Sequence, residues 1–170
     1  MDVAAHVVDV PDFPQPGIVF KDLSPLFANG PAFREAIDEI VGHYEPDSFD
    51  IVAGIEARGF LLAAAIAYAT GTGVVPVRKA GKLPRATYAA TYDLEYGKAT
   101  LELHTDAFVL SSRVLVVDDV LATGGTAKAT MELIEQAGGT VVGFSVVLEL
   151  AFLKGRERLA GRDTHALLTV

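Results

Sequence analysis

Apolar residues recur along this chain in two rhythms. The run at 114–117 is unbroken, the pattern of a strand covered on both faces of a sheet; 49–55 predicts another buried strand, 74–77 a short strand and 141–150 a long apolar one. Between them the spacing turns helical. Phe33, Ile37, Ile40, Val41 and Tyr44 share one helical face after Asn29, Gly30 and Pro31, which suit a helix start. A strongly apolar helix runs on from the loop at 56–59 to Thr70. Ala127, Met131, Ile134 and Ala137 mark another, ended by Gly138 and Gly139. Leu101 and Leu103 alternate with Glu102 and His104, as in a half-exposed strand. Residues 152–159 predict a short helix and 166–170 a last strand. Strands alternating with helices imply an α/β fold: a mostly parallel central sheet flanked by helices on both faces, in a single domain over 1–170.

Two stretches break the rhythm. Residues 13–22, FPQPGIVFKD, are punctuated by Pro14, Pro16 and Gly17, so they predict a shaped loop leading into an extended piece at 18–20. Residues 78–97 place Arg78, Lys79, Lys82 and Arg85 in one loop broken by Gly81 and Pro84. A small, polar and aromatic stretch at 87–92 follows, which predicts a mobile lid hairpin over about 79–98. Residues 1–12 are weakly patterned, compatible with a short helix or a loose arm.

Charge gives the clustered cations their meaning. The chain has 14 Lys and Arg against 22 Asp and Glu, a net charge of −8. Such a surface argues against non-specific nucleic-acid binding, and an anionic substrate needs a local basic patch, which residues 78–85 supply. With no cysteine, disulfides, zinc thiolates and thiol nucleophiles are excluded. The four histidines are scattered without metal spacing. No apolar run is long enough to span a membrane and no basic leader opens the sequence, so a soluble cytoplasmic protein without membrane partners is expected.

The chemistry concentrates at 114–126, VLVVDDVLATGGT. A buried strand, then small hydroxyl and glycine residues, then a helix start is an arrangement that binds phosphate through free backbone N–H groups and the positive end of the helix. Gly124 and Gly125 let the backbone close around an anion, and Thr123 and Thr126 offer hydroxyls. Neither the Gly-Lys-Ser/Thr of ATP-type loops nor the G-x-G-x-x-G spacing of dinucleotide folds is present. Asp118 and Asp119, expected where the strand leaves the sheet, would repel a phosphate unless they face something else; ribose hydroxyls and a Mg²⁺ hydration shell are the expected targets. A second strand–loop–helix at 49–70 carries Glu56, Arg58 and Gly59, where an Arg can reach an anion and Gly59 permits close approach. Arg58, Arg78 and Asp118 all fall at or just past strand carboxyl ends, where sheets of this kind bind ligands.

VVDDVLATGGT resembles the phosphoribosyl-pyrophosphate (PRPP) motif of the type I phosphoribosyltransferases. FPQPGIVFKDLSPLF, GIEARGF, VRKAGKLP, YDLEYGKATLEL and LELAFLKGRERL are similar, in order and spacing, to segments of the adenine-using members of that family. The resemblance implies the type I phosphoribosyltransferase fold and purine salvage, with the phosphoribosyl group passing from PRPP to adenine with Mg²⁺. It implies that Ala122, Thr123, Gly124, Gly125 and Thr126 hold the 5-phosphate and that Asp118 and Asp119 grip the ribose. Arg58, Arg78, Lys79 and Lys82 would meet the pyrophosphate. Phe20 and Val120 would sandwich the purine, and backbone groups of Val19 and Lys21 would read its edge. Glu95 would act as acid/base with Tyr96 beside it, and Arg58 would assist catalysis. Mg²⁺ would bind mainly through PRPP and water, with no direct protein ligand, and the protein would be a homodimer. Lys21 stands where many members have Arg, and nothing is carried over for Arg85 or for the residues after Leu159. The residues themselves leave the base open: another purine, or a PRPP-sensing regulator on the same fold, are the alternatives.

Overall fold

The computed structural model describes residues 2–94 and 96–170. Glu95 and its expected acid/base role therefore lie outside the described residues.

Seven strands form the main sheet in the order β5-β6-β4-β3-β7-β8-β9. Its parallel part comprises β3 (Ile51–Ile55), β4 (Gly73–Lys79), β7 (Arg113–Leu121), β8 (Thr140–Glu149) and β9 (Thr164–Thr169). The runs in β3, β7 and most of β8 are buried as expected, whereas in the run at 74–77 only Val77 is buried and Val74 is exposed. Along β7, Leu115 and Val117 join one core cluster while Val114 and Val116 join the other, because successive side chains point to opposite faces. The first cluster is covered by α1 (Ser24–Ala28), α2 (Gly30–His43) and α3 (Gly59–Thr70). The second is covered by α4 (Gly125–Gln136) together with the hairpin β5 (Thr87–Asp93) and β6 (Lys98–His104). Helices on both faces of a mostly parallel sheet thus follow from the patterning. Asn29 caps α2, its side chain accepting from the N–H of Ala32 at 3.1 Å.

The structure changes several local expectations. Strand β7 runs through the acidic pair to Leu121, so Asp118 and Asp119 are sheet residues and do not follow its exit; pairing with β8 continues from Asp118↔Val146 to Leu121↔Glu149. Arg78 and Lys79 also belong to a strand and not to the basic loop, because they pair with Glu102 and Leu101 of β6. Within the expected lid the hairpin is present: 87–93 is strand β5, paired with β6 from Thr87↔His104 to Asp93↔Lys98. In place of one helix, 152–159 forms two 3₁₀ turns, Ala151–Leu153 and Gly155–Leu159, separated by Lys154 at φ 55°. Near the start, a 3₁₀ turn (Val3–His6) precedes β1 (Val8–Pro11), which pairs antiparallel with β2 (Val19–Asp22), Val10 opposite Phe20. Residues 18–20 are therefore one arm of a two-stranded hood. Among the described residues, no helix is long and apolar enough to cross a membrane.

Candidate active site

The carboxyl ends of β3 and β7 open into a cleft of about 550 Å³, roofed by the β1–β2 hood. Val19, Phe20, Lys21, Arg58, Lys79, Asp118, Asp119, Val120, Ala122 and Thr126 all border it. Residues spread over a hundred positions therefore meet in one place, because parallel strands deliver their ends to the same side of the sheet.

One end of the cleft runs into the glycine turn that opens α4. Gly124 is the N-cap of α4 at φ 84°, a left-handed conformation that favours glycine. It hands over to Gly125 and Thr126 at the first helical positions, whose N–H groups have no helical partner. The turn is held from behind by a residue to which the sequence assigned no role. A Cβ on Gly155 would lie 3.0 Å from the Gly124 nitrogen and collide with the Ala122 carbonyl oxygen, and a Cβ on Gly124 would strike the Gly155 carbonyl. These two glycines are the contact between the phosphate turn and the 3₁₀ turn. That second turn is fixed by Arg156, whose guanidinium binds the buried Glu149 carboxylate, with Nε 3.0 Å from Oε1. The Leu150 N–H donates to the Leu121 carbonyl at 2.9 Å, joining the two segments directly. LKGRERL carried a resemblance but no local signal of this buttress, which depends on a long-range contact.

At the centre, Asp118 and Asp119 crowd one another. The Asp119 N–H donates to Asp118 Oδ1 at 2.9 Å. Burial, and then the Asp119 charge, push the Asp118 carboxyl well above the usual range. Asp119 is buried and its carboxylate is paired with Arg58 Nε. Gly59 brings the second loop this close: a Cβ there would sit 3.0 Å from the Val117 carbonyl and 3.1 Å from Asp118 Oδ1. The Arg58 guanidinium also reaches the ring of Phe20, 5.2 Å from its centroid. Arg58 thus spans the acidic pair and the aromatic platform. Phe20 is braced edge-on by Phe13 at 5.2 Å, and Lys21 Nζ is held by Asp9 at 2.7 Å, which turns its side chain away along the hood.

The remaining cations gather around Glu56, whose peptide bond to Ala57 is cis. Its buried carboxylate accepts from the Lys79 N–H at 2.7 Å, binds Lys82 Nζ, and lies 3.7 Å from Arg78 Nε. Burial alone would raise the Glu56 carboxyl; Lys82, the Lys79 N–H and Arg78 outweigh it, so it is lowered and stays charged. Lys79 borders the cleft, whereas Arg78 and Lys82 are turned to Glu56, with Arg78 also over the Phe60 ring at 5.9 Å. Arg85 is paired with Asp106 and takes no part. Tyr96 is 79% exposed at the hairpin end, outside the cleft. Among the described residues no three acid or imidazole groups converge as a metal cage.

A hood with an aromatic platform, a crowded acid pair beside an anion-binding turn, and a cationic rim suit a ligand that is aromatic at one end and phosphorylated at the other. The chain belongs to the phosphoribosyl transferase domain family, whose pattern it matches over residues 26–165. Within that family its relatives use adenine. It is 73% identical over 168 residues to the adenine phosphoribosyltransferase of Salinispora arenicola, covering 99% of this chain and 89% of that one. The solved adenine phosphoribosyltransferase of Thermoanaerobacter pseudethanolicus superposes with a TM-score of 0.96 at 44% identity, covering 99% and 98% of the two chains. That of Saccharomyces cerevisiae, complexed with an imino-altritol bisphosphate and adenine, superposes at 0.89 with 38% identity, covering 98% and 97%.

Proposed function

We propose that the protein transfers the 5-phosphoribosyl group of PRPP to adenine, giving AMP and pyrophosphate in purine salvage. The observation that carries this reading is the convergence of Phe20, Val120, the Asp118–Asp119 pair, Ala122 and Thr126 on one cleft. Adenine lies between Phe20 and Val120, its edge read by backbone groups of Val19 and Lys21. Asp118 and Asp119 take the ribose hydroxyls; a hydroxyl donating to Asp118 relieves the crowding that otherwise favours its protonation. Ala122, Thr123, Gly124, Gly125 and Thr126 hold the 5-phosphate.

The barrier is departure of pyrophosphate as positive charge grows on the ribose. Arg58 and Lys79 are positioned to offset the leaving charge, with Arg78 and Lys82 released from Glu56 to join them. Asp118 and Asp119 would face a Mg²⁺ hydration shell, and the cation would supply further neutralisation of the leaving charge. The crowded acid pair fits a hydrated cation. Glu95, with Tyr96 next to it in the sequence, exchanges a proton with the purine. The protein acts in the cytoplasm as a homodimer; exposed Leu61 and Tyr68 on α3 and Val74 on β4 are the apolar surface available for that contact.

Incubation with PRPP and Mg²⁺ and with adenine, hypoxanthine or guanine tests the reading. AMP and pyrophosphate from adenine alone is the expected result. Prominent IMP or GMP would reassign the base, since a site matched to an amine rejects a carbonyl at the same edge.

A further inference from the structure

Tyr92 is absorbed by none of the roles above, yet it touches the phosphate turn twice. It sits near the end of β5, half-buried and bordering the cleft. Its hydroxyl is 2.9 Å from Thr126 Oγ1. Its ring lies flat enough on the turn that a Cβ on Gly125 would be 3.1 Å from Cδ2 and 3.7 Å from Cε2. A tyrosine of the hairpin is thus seated on the first two helical residues of α4.

We propose that Tyr92 is a positioning residue for the 5-phosphate, orienting the Thr126 hydroxyl so that its single proton points into the turn. This rests on the reading of that turn as the PRPP phosphate site. A threonine hydroxyl has one proton and two acceptor positions, and left alone it rotates among staggered orientations. Some of those aim a lone pair at the phosphate, which repels it. The tyrosine hydroxyl is the more acidic of the two and is the better donor. With a dianion in the turn, one ordering satisfies every group: Tyr92 donates to Thr126, and Thr126 donates to phosphate. Bonds ordered in series polarise one another and strengthen the last link. Thr130 does not compete for Thr126 Oγ1, because its hydroxyl donates to the Thr126 carbonyl at 2.8 Å.

The contact also explains why residue 125 is glycine. A Cβ there would crowd the tyrosine ring at 3.1 Å, with Arg158 Nη1 also 3.5 Å away, so glycine lets the ring approach the turn this closely.

The 5-phosphate is remote from the bond that breaks, so it is held alike in ground and transition states, and the effect belongs in KM for PRPP and not in kcat. The test is a double-mutant cycle of Tyr92→Phe against Thr126→Val and Thr126→Ser, with thermal midpoints recorded for each variant. Tyr92→Phe keeps the ring on Gly125 and removes only the hydroxyl. It is expected to raise KM for PRPP about 3- to 10-fold, the range of one net hydrogen bond, with kcat and KM for adenine within about twofold. The same loss is expected in the Thr126→Ser background, which retains a hydroxyl, and no further loss in Thr126→Val. Additive losses in Thr126→Val, or a lower KM for PRPP in Tyr92→Phe, would overturn the relay while leaving the phosphate site standing. An unchanged KM for PRPP in Thr126→Val alone would overturn both.

Discussion

The guanidinium carbon of Arg58 lies 5.2 Å from the centroid of the Phe20 ring while its Nε holds the Asp119 carboxylate. One side chain therefore touches both the proposed platform for the base and the proposed acid for the ribose. On the proposed reading, a purine against Phe20 and a ribose at Asp119 would each compete with Arg58 and free its guanidinium for the leaving group. Removing the ring tests the base half of this geometry. Phe20→Ala is expected to raise KM for adenine roughly 5- to 150-fold, the span of base–aromatic stacking, with KM for PRPP little changed; steady-state kinetics with each substrate varied separately reads the difference.

The ribose half rests on Asp119. Asp119→Asn keeps the shape, removes the charge facing Arg58, and weakens acceptance from ribose hydroxyls. KM for PRPP is expected to rise about tenfold, within the range for a hydrogen bond to a charged group. Unaltered PRPP affinity, measured by calorimetry with PRPP and Mg²⁺, would count against the ribose assignment.

Glu95→Gln is expected to lower turnover by ~10²-fold or more with both KM values little changed, in line with general acid–base contributions. Single-turnover measurements of AMP formation check it, and full activity would remove Glu95 from the mechanism.

The glycine contact behind the phosphate turn predicts that a single methyl group is harmful there. Gly155→Ala would press a Cβ onto the Ala122 carbonyl and within 3.0 Å of the Gly124 nitrogen. Overpacking of this kind costs about 1–3 kcal/mol. Both a lower thermal midpoint and a higher KM for PRPP are expected, whereas Gly30→Ala, whose Cβ would meet nothing within 4 Å, serves as the control.

Stability against acid is set partly at the other end of the sheet. Burial lowers the pKa of His165, and His43, stacked on it at 4.0 Å, lowers it further; Arg156 adds to this, while Glu39 and Asp163 oppose it. The fold thus favours neutral His165. A depressed pKa means the contribution is present above the unfolded value of about 6.5 and is lost as pH falls below it. Thermal midpoints are expected to decline from pH 7 to pH 5.5, and His165→Gln should flatten that decline. An identical slope in the variant would place the pH dependence in other groups.

Much of the site was legible because its chemistry is local. The strand–loop–helix at 114–126 displays its apolar run, acid pair and glycines in consecutive positions, and helix N-terminal physics needs nothing distant to act. The same holds for Arg58 and Gly59 at the end of β3. What failed to show in one dimension was pairing. Lys79 looks like a loop cation until its partner Leu101 draws it into a strand, and nothing local shows that the hairpin 87–104 joins the edge of the main sheet through β4.

The sequence by itself determined the parallel α/β layering, the phosphate turn and the set of charged residues, since these follow from periodicity and from groups adjacent along the chain. Only the tertiary structure decided that Arg58 binds Asp119, that Glu56 gathers Lys82 and Arg78, that Gly155 braces Gly124, and that Tyr92 rests on Gly125. Each joins segments separated by tens of residues, and such contacts are fixed by sheet order and close packing, which no local pattern encodes.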